Sequence, residues 1–246
     1  MPLRSLPPAN SAPHRNETWE YWRPTGSPTL ELGSVRGLDV ALPLHFHDED
    51  QVTFTLSGRR RFVIDDELFC VTPGQGMHIP ARTPHHSLSE PSEVVCVNIY
   101  TPAGTGAARD LISALVRHWR RTGRMDWPDL TMMAADHGLL AGSAPGAAIG
   151  LASPDSWETV RQAAQRAGMS REGFSRRFKK WHGLPPHGFW LLEKLNEARR
   201  LLRAGEPIAA VAAEAGFSDQ SHLGRCFRRA FGVTPGRYRA ERCRAG

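Results

Sequence analysis

The sequence has few cysteines and no long hydrophobic run. Its 246 residues hold only four cysteines, at positions 70, 96, 226 and 243, and their spacing matches neither a disulfide framework nor a zinc-binding pattern. No stretch approaches the about 18 apolar residues of a membrane span, and no signal peptide is recognisable. We therefore expect a soluble cytoplasmic protein with reduced thiols and no membrane partner.

Catalytic patterns are scarce as well. The sequence shows no Ser/His/Asp constellation and no paired carboxylates that would indicate a hydrolase. Residues 1–16 contain four prolines and no apolar run, which predicts a flexible arm.

The last third of the chain contains one helical pattern twice, 48 residues apart. In the first copy, Val160, Ala163, Ala164 and Ala167 mark one helix face before a turn at residues 168–170. In the second copy, the same spacing recurs from Ile208 to Ala215, before a turn at 216–218. We expect Ser170 and Ser218 to cap the helices that follow, and the second copy to carry one extra residue inside its second helix.

This duplicated region is strongly basic. Residues 155–246 hold 18 lysines and arginines against 9 acidic residues, whereas residues 1–154 hold 13 against 16. A charge excess confined to one domain is typical of a partner with a phosphate backbone. The predicted DNA-binding residues lie on the outward faces of the two second helices: Glu172, Ser175, Arg176, Lys179, Lys180, Gln220, Ser221, Gly224, Arg225, Arg228 and Arg229.

A single helix from Phe189 to Arg203 is predicted between the two copies. At 1.5 Å per residue this helix spans about 22 Å. That length is compatible with holding the second helices of the two copies about one DNA turn apart.

These residues carry a resemblance to a known family. Residues 216–223 (GFSDQSHL), 226–235 (CFRRAFGVTP) and 198–202 (ARRLL) resemble the signature of AraC/XylS-family transcription regulators. Lys194 stands where that family's joining helix usually has arginine. The resemblance implies an all-α domain over residues 157–243, with two helix-turn-helix units that bind promoter DNA.

The amino-terminal half follows a different pattern, with short alternating segments and turns from about residue 30 to 100. Residues 51–56, 61–64 and 94–99 are typical strands, so an all-β barrel or sandwich is predicted. His45, His47, Gln51, Gly58 and the Pro80, Arg82, His85 group resemble the two cupin motifs, although Gln51 replaces the usual Glu and Arg82 the usual Gly. The resemblance implies a cupin-like effector domain over residues 17–104.

Three histidines are the candidate ligand site of this domain. His45 and His47 lie two apart on a predicted strand and so share a face, where His85 and Gln51 can join them. Three interpretations stay open: a small-molecule effector site, a divalent transition-metal site, or a structural cluster. No cofactor is required by the sequence.

Residues 105–141 are predicted to be helical, with Leu111, Leu115 and Trp119 on one face that either packs on its own domain or forms a homodimer contact. Residues 142–156 are predicted to be a linker. The sequence thus predicts a two-domain DNA-binding transcription regulator that responds to a small-molecule effector and can contact RNA polymerase. The alternative is a cupin metalloenzyme, an oxygenase or isomerase, with a basic helical appendage.

Overall fold

The computed structural model describes residues 18–24, 27, 30–104, 106–140 and 159–240. The described residues divide into two compact units, the first within residues 18–140 and the second within residues 159–239. The predicted arm at 1–16 and linker at 142–156 lie outside the described residues. Within the described part, no helix combines the length and apolar character needed to cross a membrane.

The first unit is built from two antiparallel sheets, which confirms the all-β, cupin-like prediction. The larger sheet has the order β1-β2-β8-β3-β6, and the smaller has the order β5-β4-β7. The strands are β1 (Thr18–Trp22), β2 (Glu31–Gly37), β3 (Asp50–Ser57), β4 (Arg60–Ile64), β5 (Glu67–Val71), β6 (Gly76–Ile79), β7 (His85–Ser87) and β8 (Val94–Thr101).

Two helices cover the apolar face of the larger sheet. They are α1 (Ala108–Thr122) and α2 (Trp127–Asp136), and α2 begins at a capping box between Asp126 and Asp129. Leu111 and Leu115 of α1 are fully buried in one cluster with sheet residues such as Phe54 and Ile99. The apolar stripe predicted for this helix therefore packs on its own domain.

The second unit is all-α, as predicted. Its helices are α3 (Val160–Arg166), α4 (Arg171–His182), α5 (Pro186–Ala204), α6 (Ile208–Glu214), α7 (Gln220–Phe231) and α8 (Pro235–Ala240). The pairs α3–α4 and α6–α7 are the two copies of the repeated pattern. Gly168 and Gly216 follow the first helix of each pair with φ of 64° and 74°, a left-handed conformation that glycine adopts without steric cost.

The two turns differ by one residue, which corrects two predictions. Ser170 caps α4 by accepting a hydrogen bond from the backbone of Gly173 at 3.0 Å. Ser218 does not cap α7, because Asp219 holds that position and accepts from the backbone of His222 at 2.7 Å. Both α4 and α7 have 12 residues, so the extra residue of the second copy lies in the turn and not inside the helix.

Helix α5 joins the two copies over 19 residues, about 28 Å of helix. On one side Phe189 packs edge-on against Phe178 of α4, with ring centroids 5.4 Å apart. On the other side Lys194 donates through Nζ to the carbonyl of Gly216 at 2.7 Å. The lysine that replaces the family's usual arginine thus ties the joining helix to the second turn.

The copies are packed to different depths. Leu223 and Phe227 of α7 are fully buried, and the guanidinium of Arg199 in α5 lies 5.4 Å from the ring centre of Phe231. The equivalent residues of α4, Phe174 and Phe178, are only partly buried. Among the described residues, the second copy therefore has the better-formed core.

The capping assignment is testable. Asp219→Ala should lower the melting temperature of the chain by a few degrees, because the backbone of His222 loses its acceptor, while Ser218→Ala should change it less. The capping hydrogen bond holds the pKa of Asp219 below its ordinary value. Its stabilisation is therefore present above the ordinary carboxyl pKa and is lost as the pH falls through the lowered value. Equal losses in the two variants by thermal melting would contradict this assignment.

Candidate functional site

The outward faces of α4 and α7 carry the predicted DNA-binding side chains. Arg176, Lys179 and Lys180 of α4 are exposed, as are Arg225 and Arg228 of α7. Of the remaining predicted residues, Ser175 and Gly224 are partly buried and the others are exposed: Glu172, Gln220, Ser221 and Arg229.

The two faces correspond residue by residue. With the extra residue in the turn, Phe174 is equivalent to Leu223 and Phe178 to Phe227, since each pair occupies the same position in a 12-residue helix. Arg176 is then equivalent to Arg225. Each helix thus presents an arginine near its middle and a basic last turn, the side chains that bind guanine edges and phosphates.

The three predicted histidines come together inside the first unit. The centre of the His85 ring lies 4.3 Å from that of His45 and 5.1 Å from that of His47. All three residues are buried, and one ring nitrogen from each lies within 4.8 Å of the others. Their backbone differs from the prediction, because His45 and His47 precede β3 and lie outside the strands; His45 forms an isolated bridge to His85, and the carbonyl of His47 accepts from the backbone of Arg82 at 2.8 Å.

Backbone carbonyls fix the orientation of all three rings. The Nδ1 atoms of His45, His47 and His85 lie 2.8, 2.7 and 2.8 Å from the carbonyl oxygens of residues 43, 49 and 83. A carbonyl oxygen only accepts, so each Nδ1 carries the proton, and in the neutral ring Nε2 carries the lone pair. This is the arrangement in which histidines ligate a metal through Nε2.

Charge in the cluster is disfavoured. Burial, and to a smaller extent the neighbouring His45 and His47, hold the pKa of His85 well below its ordinary value. The His85 ring is therefore neutral at neutral pH, which is the form that binds a metal or accepts a hydrogen bond.

Gln51 belongs to the cluster, as predicted. Its side-chain oxygen lies 2.8 Å from Nε2 of His47, a contact that is a hydrogen bond only when Nε2 also carries a proton. Its amide nitrogen donates to Oδ1 of Asn98 at 2.9 Å. A cation bound at His47 would either share the Gln51 amide oxygen or displace it. The chemistry of the donor set, three imidazoles and an amide oxygen, fits a divalent transition metal.

Sequence reasoning missed several buried polar residues near this cluster. Asn98 holds Gln51, and the ring of Tyr100 lies 5.2 Å edge-on to that of His47. Arg60 of β4 is also buried, at 2% exposure. The one available signal was the run of arginines at 59–61, since alternation along a strand must turn one of them inward.

Comparisons with known proteins support the assignment of both parts of the chain. A helix-turn-helix domain family matches residues 163–241 and a cupin domain family matches residues 39–100. Transcriptional activator NphR of a Rhodococcus species is 30% identical over 239 residues, which cover 91% of this chain and 68% of NphR.

Two further likenesses are narrower. HTH-type transcriptional regulator MtrA of Neisseria gonorrhoeae is 38% identical over 88 residues, 35% of this chain, and the match spans only 29% of MtrA. The crystal structure of ToxT from Vibrio cholerae O395 superposes with a TM-score of 0.51 at 10% identity, covering 88% of this chain and 99% of ToxT. That last likeness shows the fold.

Proposed function

Because this chain belongs to the AraC-like transcription regulators, we propose that it binds specific promoter DNA through both helix-turn-helix units and that a small-molecule effector in the cupin domain changes this binding. The observation that carries the proposal is the pair of equivalent exposed basic faces on α4 and α7. Two helices that only pack a core do not need arginines and lysines at matched outward positions.

Helix α5 supports DNA binding by both helix-turn-helix units. Contacts of α5 with Phe178 on one side and with Gly216 on the other hold the two copies on one rigid element. Two reading helices held in this way suit successive major-groove segments on one side of the duplex, which repeat every about 34 Å.

The histidine cluster is the proposed ligand centre of the cupin domain. His45, His47, Gln51 and His85 either line an effector site or hold a divalent transition metal, and the fixed Nδ1 protons of the three rings favour the metal. A bound metal would supply a Lewis-acid centre to which an oxygen or nitrogen atom of an effector binds.

We propose that the cupin domain binds without turnover, so that the chain is not an enzyme. The convergent histidines are the one observation that favours the alternative, a cupin metalloenzyme of the oxygenase or isomerase class. Chemical conversion of a bound ligand by the metal-loaded protein would establish that alternative.

We also propose that the chain forms a homodimer and contacts RNA polymerase on the promoter. Since Leu111 and Leu115 of α1 are buried in their own domain, a dimer contact must use other residues, and size-exclusion chromatography with light scattering tests it.

Variants of the two reading helices test the DNA proposal. Arg176→Ala and Arg225→Ala should each weaken binding to a selected duplex by about 1 to 3 kcal/mol, because each removes a contact to base edges or phosphates. Each should relax base preference in a different half of the site, as measured by fluorescence anisotropy on duplexes with single substitutions.

The matched control is Arg200→Ala, which removes an exposed arginine of α5 that pairs with Glu197. Its affinity should stay close to that of the unaltered chain. If Arg176→Ala and Arg225→Ala lose base preference at the same base pairs, recognition of DNA by two separate helix-turn-helix units would be contradicted.

A second variant tests the metal interpretation. Gln51→Glu should raise the affinity for Zn²⁺ by about tenfold or more, because a carboxylate attracts a dication that the neutral amide does not. Gln75→Glu, which adds the same charge in an exposed turn, should leave it unchanged. Competition with a chromophoric chelator measures both, and failure of the unaltered chain and of Gln51→Glu to bind stoichiometric metal would exclude a metal site.

A further inference from the structure

The larger sheet of the first unit has an apolar face and a polar face, and both are buried. The apolar side chains pack under α1 and α2. Because side chains alternate along a strand, the residues between them project to the opposite face. On β3 and β8 these are Gln51, Thr53, Thr55, Cys96, Asn98 and Tyr100, and all are buried.

The polar face looks toward the smaller sheet. Trp19, Val35, Cys96 and Thr55 are directly opposed on neighbouring strands and so form one row on it. The guanidinium of Arg60, on β4 of the smaller sheet, lies 5.7 Å from the ring centre of Trp19. The region between the sheets thus contains buried hydroxyl, amide and aromatic groups beside apolar ones such as Val35, a more polar mixture than an ordinary core.

Arg60 is the charge inside this space. Its Nη2 atom donates to Oγ of Ser87 at 2.8 Å, and its guanidinium lies 5.4 Å from the ring centre of Phe62. Its Nη1 atom is buried and has no hydrogen-bond partner among the described residues, and the same holds for Oγ1 of Thr55. Buried polar atoms are nearly always paired, so these two call for an explanation.

No described carboxylate neutralises Arg60. Glu90 is the one carboxylate whose charge acts on Arg60, and it acts less than the Cys96 thiol and the Tyr100 hydroxyl. The two oxygens of Glu90 are held by Arg59 at 2.7 Å and by Arg61 at 2.6 Å. Burial lowers the pKa of Arg60, yet a guanidinium stays charged in proteins. A buried cation without an anion is costly and is seldom kept unless a partner arrives.

We propose that the cupin domain binds a small organic carboxylate, held by the guanidinium of Arg60 between the two sheets. This inference rests on the proposed function, for which it names the chemical class of the effector. The N–H groups of Nη1 match a carboxylate oxygen, and charge-assisted bonds of this kind are strong. The rings of Trp19 and Phe62, which flank the guanidinium, suit an apolar body on the acid.

The carboxylate site adjoins the histidine cluster. Phe62 is near both: the centre of its ring lies 5.4 Å from the guanidinium of Arg60 and 6.4 Å from the centre of the His85 ring.

Thermal melting of the full chain with matched acids and amides tests the proposal. Acetate, hexanoate and benzoate are compared with acetamide, hexanamide and benzamide, in the presence of EDTA so that no acid binds through a metal. At about 100 times its dissociation constant, a bound acid should raise the melting temperature by about 5 °C or more. The neutral amides should not, since they offer no negative charge.

Variants of neighbouring arginines identify the binding group. Arg60→Met should abolish the shift caused by the acid, whereas Arg59→Met, which alters the exposed neighbour, should keep it. If Arg60→Met does not melt cooperatively, Arg60→Lys replaces it and should reduce the shift. Absence of a shift with every acid in the unaltered chain, or a full shift in the Arg60 variant, would overturn the proposal.

DNA binding separates this proposal from the proposed function. If the full chain binds its selected duplex but no acid shifts its melting, the regulator stands and the carboxylate effector is wrong. If an acid stabilises the chain through Arg60 but no specific duplex is bound, the carboxylate site stands and the regulator is wrong.

Discussion

The alternation of side chains along β3 and β8 is the constraint on which the first unit depends. Residues such as Phe54 and Ile99 project to one face of the larger sheet and pack against α1 and α2. The hydrophobic core of the first unit forms on this face. The other face is then free to be polar, because stability does not require it. Gln51 and Asn98 on that face connect to His47, so the same strands that build the core also position the candidate ligand site.

The second unit depends on α5 in a comparable way. Its buried residues, among them Leu195, Ala198 and Arg199, leave the outward faces of α4 and α7 without a packing role. Those faces can therefore carry charge at little cost to stability. In both units one surface supplies the core and another the chemistry, which is how a chain of this length combines a sensor with a DNA-binding module.

The sequence was most informative where a local pattern repeats. Helical spacing predicted both helix pairs, and strand alternation predicted β3, β4 and β8. The sequence pattern did not predict the cap at Asp219, because both copies have a serine two residues after the turn glycine. Only the observed start of α7 at Gln220 shows that the second turn is one residue longer. Arg60 was missed because burial of a charge depends on which strands pair across the space, and Trp19 and Ser87 come from distant parts of the chain. The run of arginines at 59–61 indicates that one of them turns inward, but the contacts that bury Arg60 leave no local signal.

Two equivalent helices of one chain, α4 and α7, are proposed to contact DNA together. Hydroxyl-radical footprinting of the full chain on a duplex obtained by selection distinguishes this from binding by one helix. Binding by both helices should give two protected segments on one side of the duplex, about 10 base pairs apart, with Arg176→Ala weakening one and Arg225→Ala the other. A single protected segment, weakened equally by both substitutions, would contradict it.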